Sequence, residues 1–270
     1  MPALLPGEPA SPQRVGPGRL RQSVCRWPFA GIPLADFCRA AAAMGLEAVD
    51  LLHPDDWPVA RDYGLVCSMG NTSRRRDFLT AGIADPPLHD TILRELEDVI
   101  PRARAAGVPN VIVLSGNRRG RPDAEGIDAC ATLLRRALPI AEREGVTICL
   151  EMLNSRVDHR DHFADTTRFG VAVAEAVNSP RFKLLYDIYH MQIMEGDVIA
   201  TIRRHGRHFA HFHTAGVPGR HELDQTQELN YAAIARAIAE TGFTGFFAHE
   251  FLPTREPLMS LREAVEVCTV

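Results

Sequence analysis

Four residues carry the chemistry this sequence is equipped to do. Glu151 closes the apolar run 146–151, Asp187 the run 182–187, His213 the run 208–213 and Glu250 the run 245–250. Successive members stand about thirty residues apart, the length that one strand–helix unit takes in a barrel of about 250 residues. Four polar groups would then arrive together at the C-terminal mouth of such a barrel, where barrel enzymes place their active sites. Three converging carboxylates repel one another and take up protons unless a cation lies between them. Taken singly, an acidic strand end only caps its strand or pairs with an arginine, but four in register point to one divalent metal held by Glu151, Asp187, His213 and Glu250. Three oxygens and one nitrogen suit Mn²⁺, Mg²⁺ or Co²⁺ better than a thiolate-seeking metal, with Zn²⁺ as a further option.

The remaining histidines divide by position. His190 lies three residues past Asp187, in what reads as a loop at the same mouth, and is assigned to substrate binding. His211 alternates with His213 and shares its strand face one layer deeper, as a partner of the ligand or a core histidine. His249 alternates away toward the helices. His53, after the second strand, and Trp27, at the end of the first, are rim residues expected to contact substrate, whereas His159 and His162 read as loop surface.

Positioning these residues requires a particular scaffold. Short apolar runs at 23–27, 48–52, 65–68, 111–115, 146–151, 182–187, 208–213 and 245–250 alternate with amphipathic segments, and turn signals bound them. Helical periodicity is clear over 93–106, 129–144 and 231–241, and Gly107, Gly145 and Gly242 follow where a left-handed C-terminal residue is wanted. Strand and helix alternating eight times predict a single α/β domain, a (β/α)₈ barrel spanning 21–270. An open doubly wound sheet would advertise a Gly-rich phosphate turn after an early strand, and the sequence has none. Residues 1–20, rich in Pro and Gly, read as a flexible leader outside that domain.

Composition narrows the partners. Hydrophobic residues make up 46% and charged ones 24%, as in ordinary globular proteins. The net charge of −4, with only the short clusters Arg74–Arg76 and 118–121 on the basic side, argues against nucleic acid. No apolar run reaches the ~18 residues of a membrane span, and no signal-peptide pattern opens the chain. Six scattered cysteines without a Cys-x-x-Cys pair suit a reducing, cytoplasmic setting.

The segments around the four residues resemble the hydroxypyruvate isomerase family, within the xylose-isomerase-like barrels. They are Leu150-Glu151-Met152-Leu153-Asn154, Tyr186-Asp187-Ile188-Tyr189-His190-Met191-Gln192, and the stretch 210–222 from Ala210 through Pro218-Gly219-Arg220-His221-Glu222. Glu228-Leu229-Asn230-Tyr231 and Gly242-Phe243-Thr244-Gly245, leading into His249-Glu250-Phe251, complete the match. The resemblance runs from about residue 20 to the end and is strongest beyond Glu151. It implies a metal-dependent isomerase of a small hydroxy-carbonyl acid, working through an enediolate, with Glu151 and Glu250 as the catalytic acid and base and Asp187 as a metal ligand. Arg220 and His190 would hold the polar end of the substrate, Arg220 as a bidentate partner for a carboxylate or, alternatively, as a loop partner of Glu222. A homo-oligomer rests on the resemblance alone. One position departs: His213 stands where hydroxypyruvate isomerases usually carry glutamine and the related ketose 3-epimerases carry histidine. The alternatives are therefore a ketose 3-epimerase or sugar dehydratase on the same metal, and a non-catalytic sugar-sensing barrel. A DNA-repair nuclease of similar fold would want more histidine ligands and a basic face.

Overall fold

The computed structural model describes residues 20–270, so the leader, apart from Leu20, lies outside the described residues; Leu20 itself is buried in the core. The eight expected strands are present: β1 (Arg21–Cys25), β2 (Ala48–Asp50), β3 (Val66–Cys67), β4 (Asn110–Val113), β5 (Thr147–Glu151), β6 (Phe182–Asp187), β7 (Phe209–Thr214) and β8 (Phe246–His249). All pair in parallel, in the order β3-β2-β1-β8-β7-β6-β5-β4. The seam between β3 and β4 closes through one residue beyond the short β3. Gly70 donates its N–H to Asn110 O (2.8 Å) and accepts from Ile112 N (3.0 Å). A side chain there would stand 2.8 Å from the Trp57 ring, so the seam requires glycine. Parallel strands, each followed by a crossover, make this a single (β/α)₈ barrel.

Helices α1 (Leu34–Ala43), α2 (Trp57–Asp62), α3 (His89–Ala106), α4 (Asp123–Glu144), α5 (Thr167–Val177), α6 (Ile188–Met194), α7 (Val198–His205), α8 (Tyr231–Glu240) and α9 (Pro257–Cys268) lie among the described residues. α3 and α4 end where the glycines predict, with Gly107 and Gly145 in the left-handed region at φ 74° and 73°. Burying one stripe of each helix against the strand exteriors assembles the main core, in which Leu96, Leu133, Phe169, Ile234 and Leu261 participate. A second cluster of Met69, Ile112, Leu114, Cys149, Leu153 and Leu185 fills the barrel interior beneath the mouth.

Two boundaries differ from the sequence reading in ways that matter for the site. The first strand stops at Cys25, so Trp27 belongs to a 3₁₀ turn, Trp27–Phe29, that folds over the mouth. The second strand stops at Asp50, because Leu51 turns into the left-handed region (φ 56°). That kink makes Asp50 the last ladder residue of β2.

Candidate metal centre

Glu151, Asp187 and His213 sit in the last two positions of β5, β6 and β7, and Glu250 follows directly on β8. Parallel register sets Asp187 opposite His213, and the four side chains meet. One ligand atom from each lies within 4.8 Å of all the others, and all four residues are buried. His213 Nδ1 stands 3.1 Å from Glu151 Oε1, 3.0 Å from Glu250 Oε2 and 4.0 Å from Asp187 Oδ2. The imidazole therefore turns its Nδ1 edge into the carboxylates.

The electrostatics show what this arrangement wants. Burial pushes the Asp187 carboxyl up from the ordinary aspartate value, and the neighbouring Glu250 and Glu151 charges add to that push against Arg220 and His213. Glu250 goes the other way: against its burial, His213, Arg220 and the Trp27 indole hold it well below the carboxylate range. Burial alone would favour neutral imidazole at His213, but the negative groups around it and its bond to Asp50 hold it well above its usual value. The site thus draws positive charge into its centre. A histidine that ligates a metal is neutral, so three carboxylates less one Arg220 guanidinium leave two negative charges, which one divalent cation balances. The residues fit such an ion: hard oxygen donors with one imidazole, and the Cys25 thiol on the far, Nε2 side of the His213 ring at 3.7 Å.

Arg220 reaches the cluster from the loop after β7. Its guanidinium bonds Glu250 Oε2, lies 3.7 Å from Asp187 Oδ2, and is flanked by the rings of Trp27 (5.2 Å) and Tyr189 (5.3 Å). Its alternative partner Glu222 is committed elsewhere, accepting from Thr254 N (2.7 Å), Thr254 Oγ1 (2.9 Å) and Ser260 Oγ (2.9 Å). Trp27 joins the site directly, its indole N–H donating to Glu250 Oε1 at 2.6 Å.

His190 is not in a loop. It occupies the first turn of α6, which begins at once because Asp187 caps it, Oδ1 accepting from His190 N at 3.1 Å. Its ring Nδ1 faces the Asn154 amide (2.7 Å) and backbone N–H (3.2 Å). Among the described residues the buried Nε2 has no hydrogen-bond partner, and it stands 3.6 Å from Asp187 Oδ2. Burial, with Arg220 and His159 nearby, holds this histidine well below its usual value, so it is neutral and presents an N–H. His53 lines a groove of about 390 Å³ with Asn71, Ser73, Arg74 and residues of α3, and none of the four cluster residues lines that groove.

The two histidines assigned to loop surface are not there. His162 is fully buried, its Nε2 3.0 Å from Ser115 Oγ, and the half-buried His159 ring packs 5.3 Å from His190. The segment after β5 folds back over the mouth, with Asn154 Oδ1 accepting from Val157 N and Asp158 N (both 2.9 Å). His249 is a core residue as expected, set between Thr214 Oγ1 (3.1 Å) and Gln22 Oε1 (2.9 Å).

Burial holds His162 and His249 down to about 3. An unfolded histidine titrates near ~6.5. Between those values the unfolded chain binds the extra proton, so the stability from neutral burial is full above pH 6.5 and drains as the pH falls. The slope reaches about 1.4 kcal/mol per pH unit for each histidine. The urea midpoint is therefore expected to drop steadily from pH 7 to 5, and a flat midpoint would contradict the neutral burial of these rings.

Sequence reasoning passed over Asp50, Cys25 and Asn154. Asp50 stands inside the apolar run 48–52 and not at its close, so it lacked the signal that marked the four cluster residues. Its Oδ2 lies 2.7 Å from His213 Nε2 and 3.1 Å from His211 Nε2. Against its burial, those histidines hold it well below the carboxylate range.

Comparison with known proteins agrees with this architecture. Residues 38–268 match the Xylose isomerase-like TIM barrel family, and the chain belongs to it. A 2-oxo-tetronate isomerase from Cupriavidus necator is 30% identical over 229 residues, 79% of this chain and 85% of that one. A human protein provisionally named hydroxypyruvate isomerase is 29% identical over 236 residues, 83% and 85% of the two chains. Among solved structures, an AP endonuclease of family 2 from Brucella melitensis superposes with a TM-score of 0.81 at 23% identity, covering 90% of this chain and 97% of that one; at that identity the likeness concerns the fold.

Proposed function

We propose that this protein is a metal-dependent isomerase of a small hydroxy-carbonyl acid, such as hydroxypyruvate or tartronate semialdehyde. The observation that carries the reading is the convergence of Glu151, Asp187, His213 and Glu250 within 4.8 Å at the barrel mouth. The names of the relatives, hydroxypyruvate and 2-oxo-tetronate isomerases, support the reaction class. These four residues would hold one divalent ion, Mn²⁺ or Mg²⁺ by the hardness of the donors, with Co²⁺ and Zn²⁺ as further options. Such an ion supplies Lewis-acid polarisation of the substrate's carbonyl and hydroxyl oxygens, stabilising the charge that develops as an enediolate forms.

The residues divide the proton work. Both Glu250 oxygens are engaged, Oε1 by the Trp27 indole and Oε2 by Arg220. Glu151 Oε2 receives no hydrogen bond among the described residues, which leaves Glu151 to take the proton from the carbon beside the carbonyl. Glu250, on the other side of the mouth and ionised at the outset, takes up the proton that leaves the substrate's hydroxyl and returns a proton to the adjacent carbon or oxygen. His190 Nε2–H and the guanidinium edge of Arg220 orient the polar end of the substrate. Small-molecule chemistry suits the charge distribution better than nucleic acid does. In the basic run 118–121, Arg118 is paired with Asp123, and Arg119 and Arg121 with Asp85. Among the described residues, no helix is long and apolar enough to cross a membrane.

The test is solvent-deuterium incorporation into hydroxypyruvate, tartronate semialdehyde and a panel of ketoses, followed by NMR. Metal-dependent exchange next to the carbonyl of a three- or four-carbon acid supports the proposal. Exchange confined to C3 of a ketose would replace it with an epimerase, the reading that His213 favours. Absence of exchange in every compound would leave a dehydratase or a non-catalytic sugar-sensing barrel.

A further inference from the structure

Beneath the four-residue cluster lies a buried polar network that the proton chemistry does not use. Asp50 is its hub. Its Oδ2 faces His213 Nε2 at 2.7 Å, His211 Nε2 at 3.1 Å and Cys25 Sγ at 3.5 Å, and its Oδ1 accepts from Ser68 Oγ. All five residues are fully buried. An ionised carboxylate can only accept hydrogen bonds, so each of these neighbours must present a hydrogen to it. His213 then carries a proton on Nε2 whatever its charge, and a cation that displaces any proton from Nδ1 meets the lone pair of the atom facing Glu151, Asp187 and Glu250.

We propose that Asp50 is a positioning residue that fixes the Nε2–H form of His213 and thereby aims the Nδ1 lone pair at the cation. The inference rests on the metal reading above. Without Asp50 the buried ring could turn over or carry its proton on Nδ1, and either change removes one donor from the centre. Outer carboxylates that orient ligating histidines typically contribute about 10–100-fold in metal affinity. His211 and Ser68 hold Asp50 in turn, and β2 ends at Asp50, with Leu51 in the left-handed region.

A rival use of the same atoms is a second metal held by Cys25, Asp50 and His213, whose candidate ligand atoms also fall within 4.8 Å of one another. The 2.7 Å separation of Asp50 and His213 is a hydrogen-bond contact, shorter than two donors around one ion adopt, and burial pushes the Cys25 thiol well above its usual value.

The test is the ring ¹⁵N spectrum of the full chain labelled in histidine, recorded metal-free and with Mg²⁺, with His213 assigned by its loss in His213→Gln. The expected result is a protonated Nε2 in both states. Titration with Mn²⁺, read by the EPR signal of the free ion, should show affinity falling about 10–100-fold in Asp50→Ala. Asp50→Asn should recover most of it, because its carbonyl can take the Oδ2 position while the amide turns to Ser68. A bare Nε2 in the wild type, or a folded Asp50→Ala that binds Mn²⁺ unchanged, would overturn the proposal. So would a second bound equivalent that removes the Nε2–H signal. If Asp50→Ala does not fold, the wild-type ring signal and Asp50→Asn decide. If the wild type binds no divalent ion, the metal reading fails, and the Nε2 signal of the metal-free protein still reports separately on Asp50.

Discussion

Glu151→Gln is expected to lower metal-dependent deuterium exchange into the substrate by about 10²–10⁴-fold, the usual worth of a positioned general base. Glutamine preserves the shape of the side chain and can still offer one oxygen to a cation, but it cannot take a proton. Glu250→Gln should fall in the same range for a different reason. Its carboxylate anchors the Trp27 indole and Arg220, so its loss frees Arg220 as well as removing the second proton carrier. The two variants should separate in their kinetics. Glu151→Gln is expected mainly to depress kcat, and Glu250→Gln to raise KM as well, since Arg220, proposed to hold the substrate's polar end, is no longer held. Single-turnover exchange rates and Mn²⁺ affinities for both variants provide the check, and undiminished exchange in Glu151→Gln would remove it from the proton-transfer role.

Metal removal should have the second large effect, on stability as well as on turnover. Ligand binding to the native state alone stabilises it by about 2.7 kcal/mol when the ligand is present at a hundred times its Kd. For a chain of this size each kcal/mol moves Tm by roughly 2–4 °C, so chelation should lower it by about 5–10 °C. Here the loss has an identifiable origin: without the cation, Glu151, Asp187 and Glu250 confront one another in a buried pocket with only Arg220 and His213 as counter-charge. Scanning calorimetry with EDTA, then with Mn²⁺, Mg²⁺, Co²⁺ or Zn²⁺ restored one at a time, measures this and ranks the metals. A Tm indifferent to chelator and to all four ions would dismiss the metal centre.

Much of this molecule was legible in one dimension. The alternation of short apolar runs with 3.6-residue periodicity specifies strands and helices, because each element must bury one face or stripe, and eight repeats of it specify a barrel. The helix ends at Gly107 and Gly145 followed from backbone sterics alone. The four cluster residues were legible for a related reason: a polar residue closing an apolar strand has one place to go in a parallel barrel, the mouth. What only the tertiary structure decided are the partnerships across the barrel. Asp50 meets His213 across 163 positions of sequence, and Trp27 meets Glu250 across 223, because strand order and stagger bring β2 and β1 against β7 and β8. No local pattern encodes that stagger. His162 was misread for the same reason, since its polar neighbours suggest a surface loop, yet Ser115 at the end of a different strand supplies a buried partner. Arg220 completes the contrast: its sequence neighbourhood offered Glu222, and the fold gave it to Glu250 and Asp187 between two aromatic rings. Periodicity reports which face a residue occupies; which charge it meets there depends on how the closed sheet brings distant strand ends together.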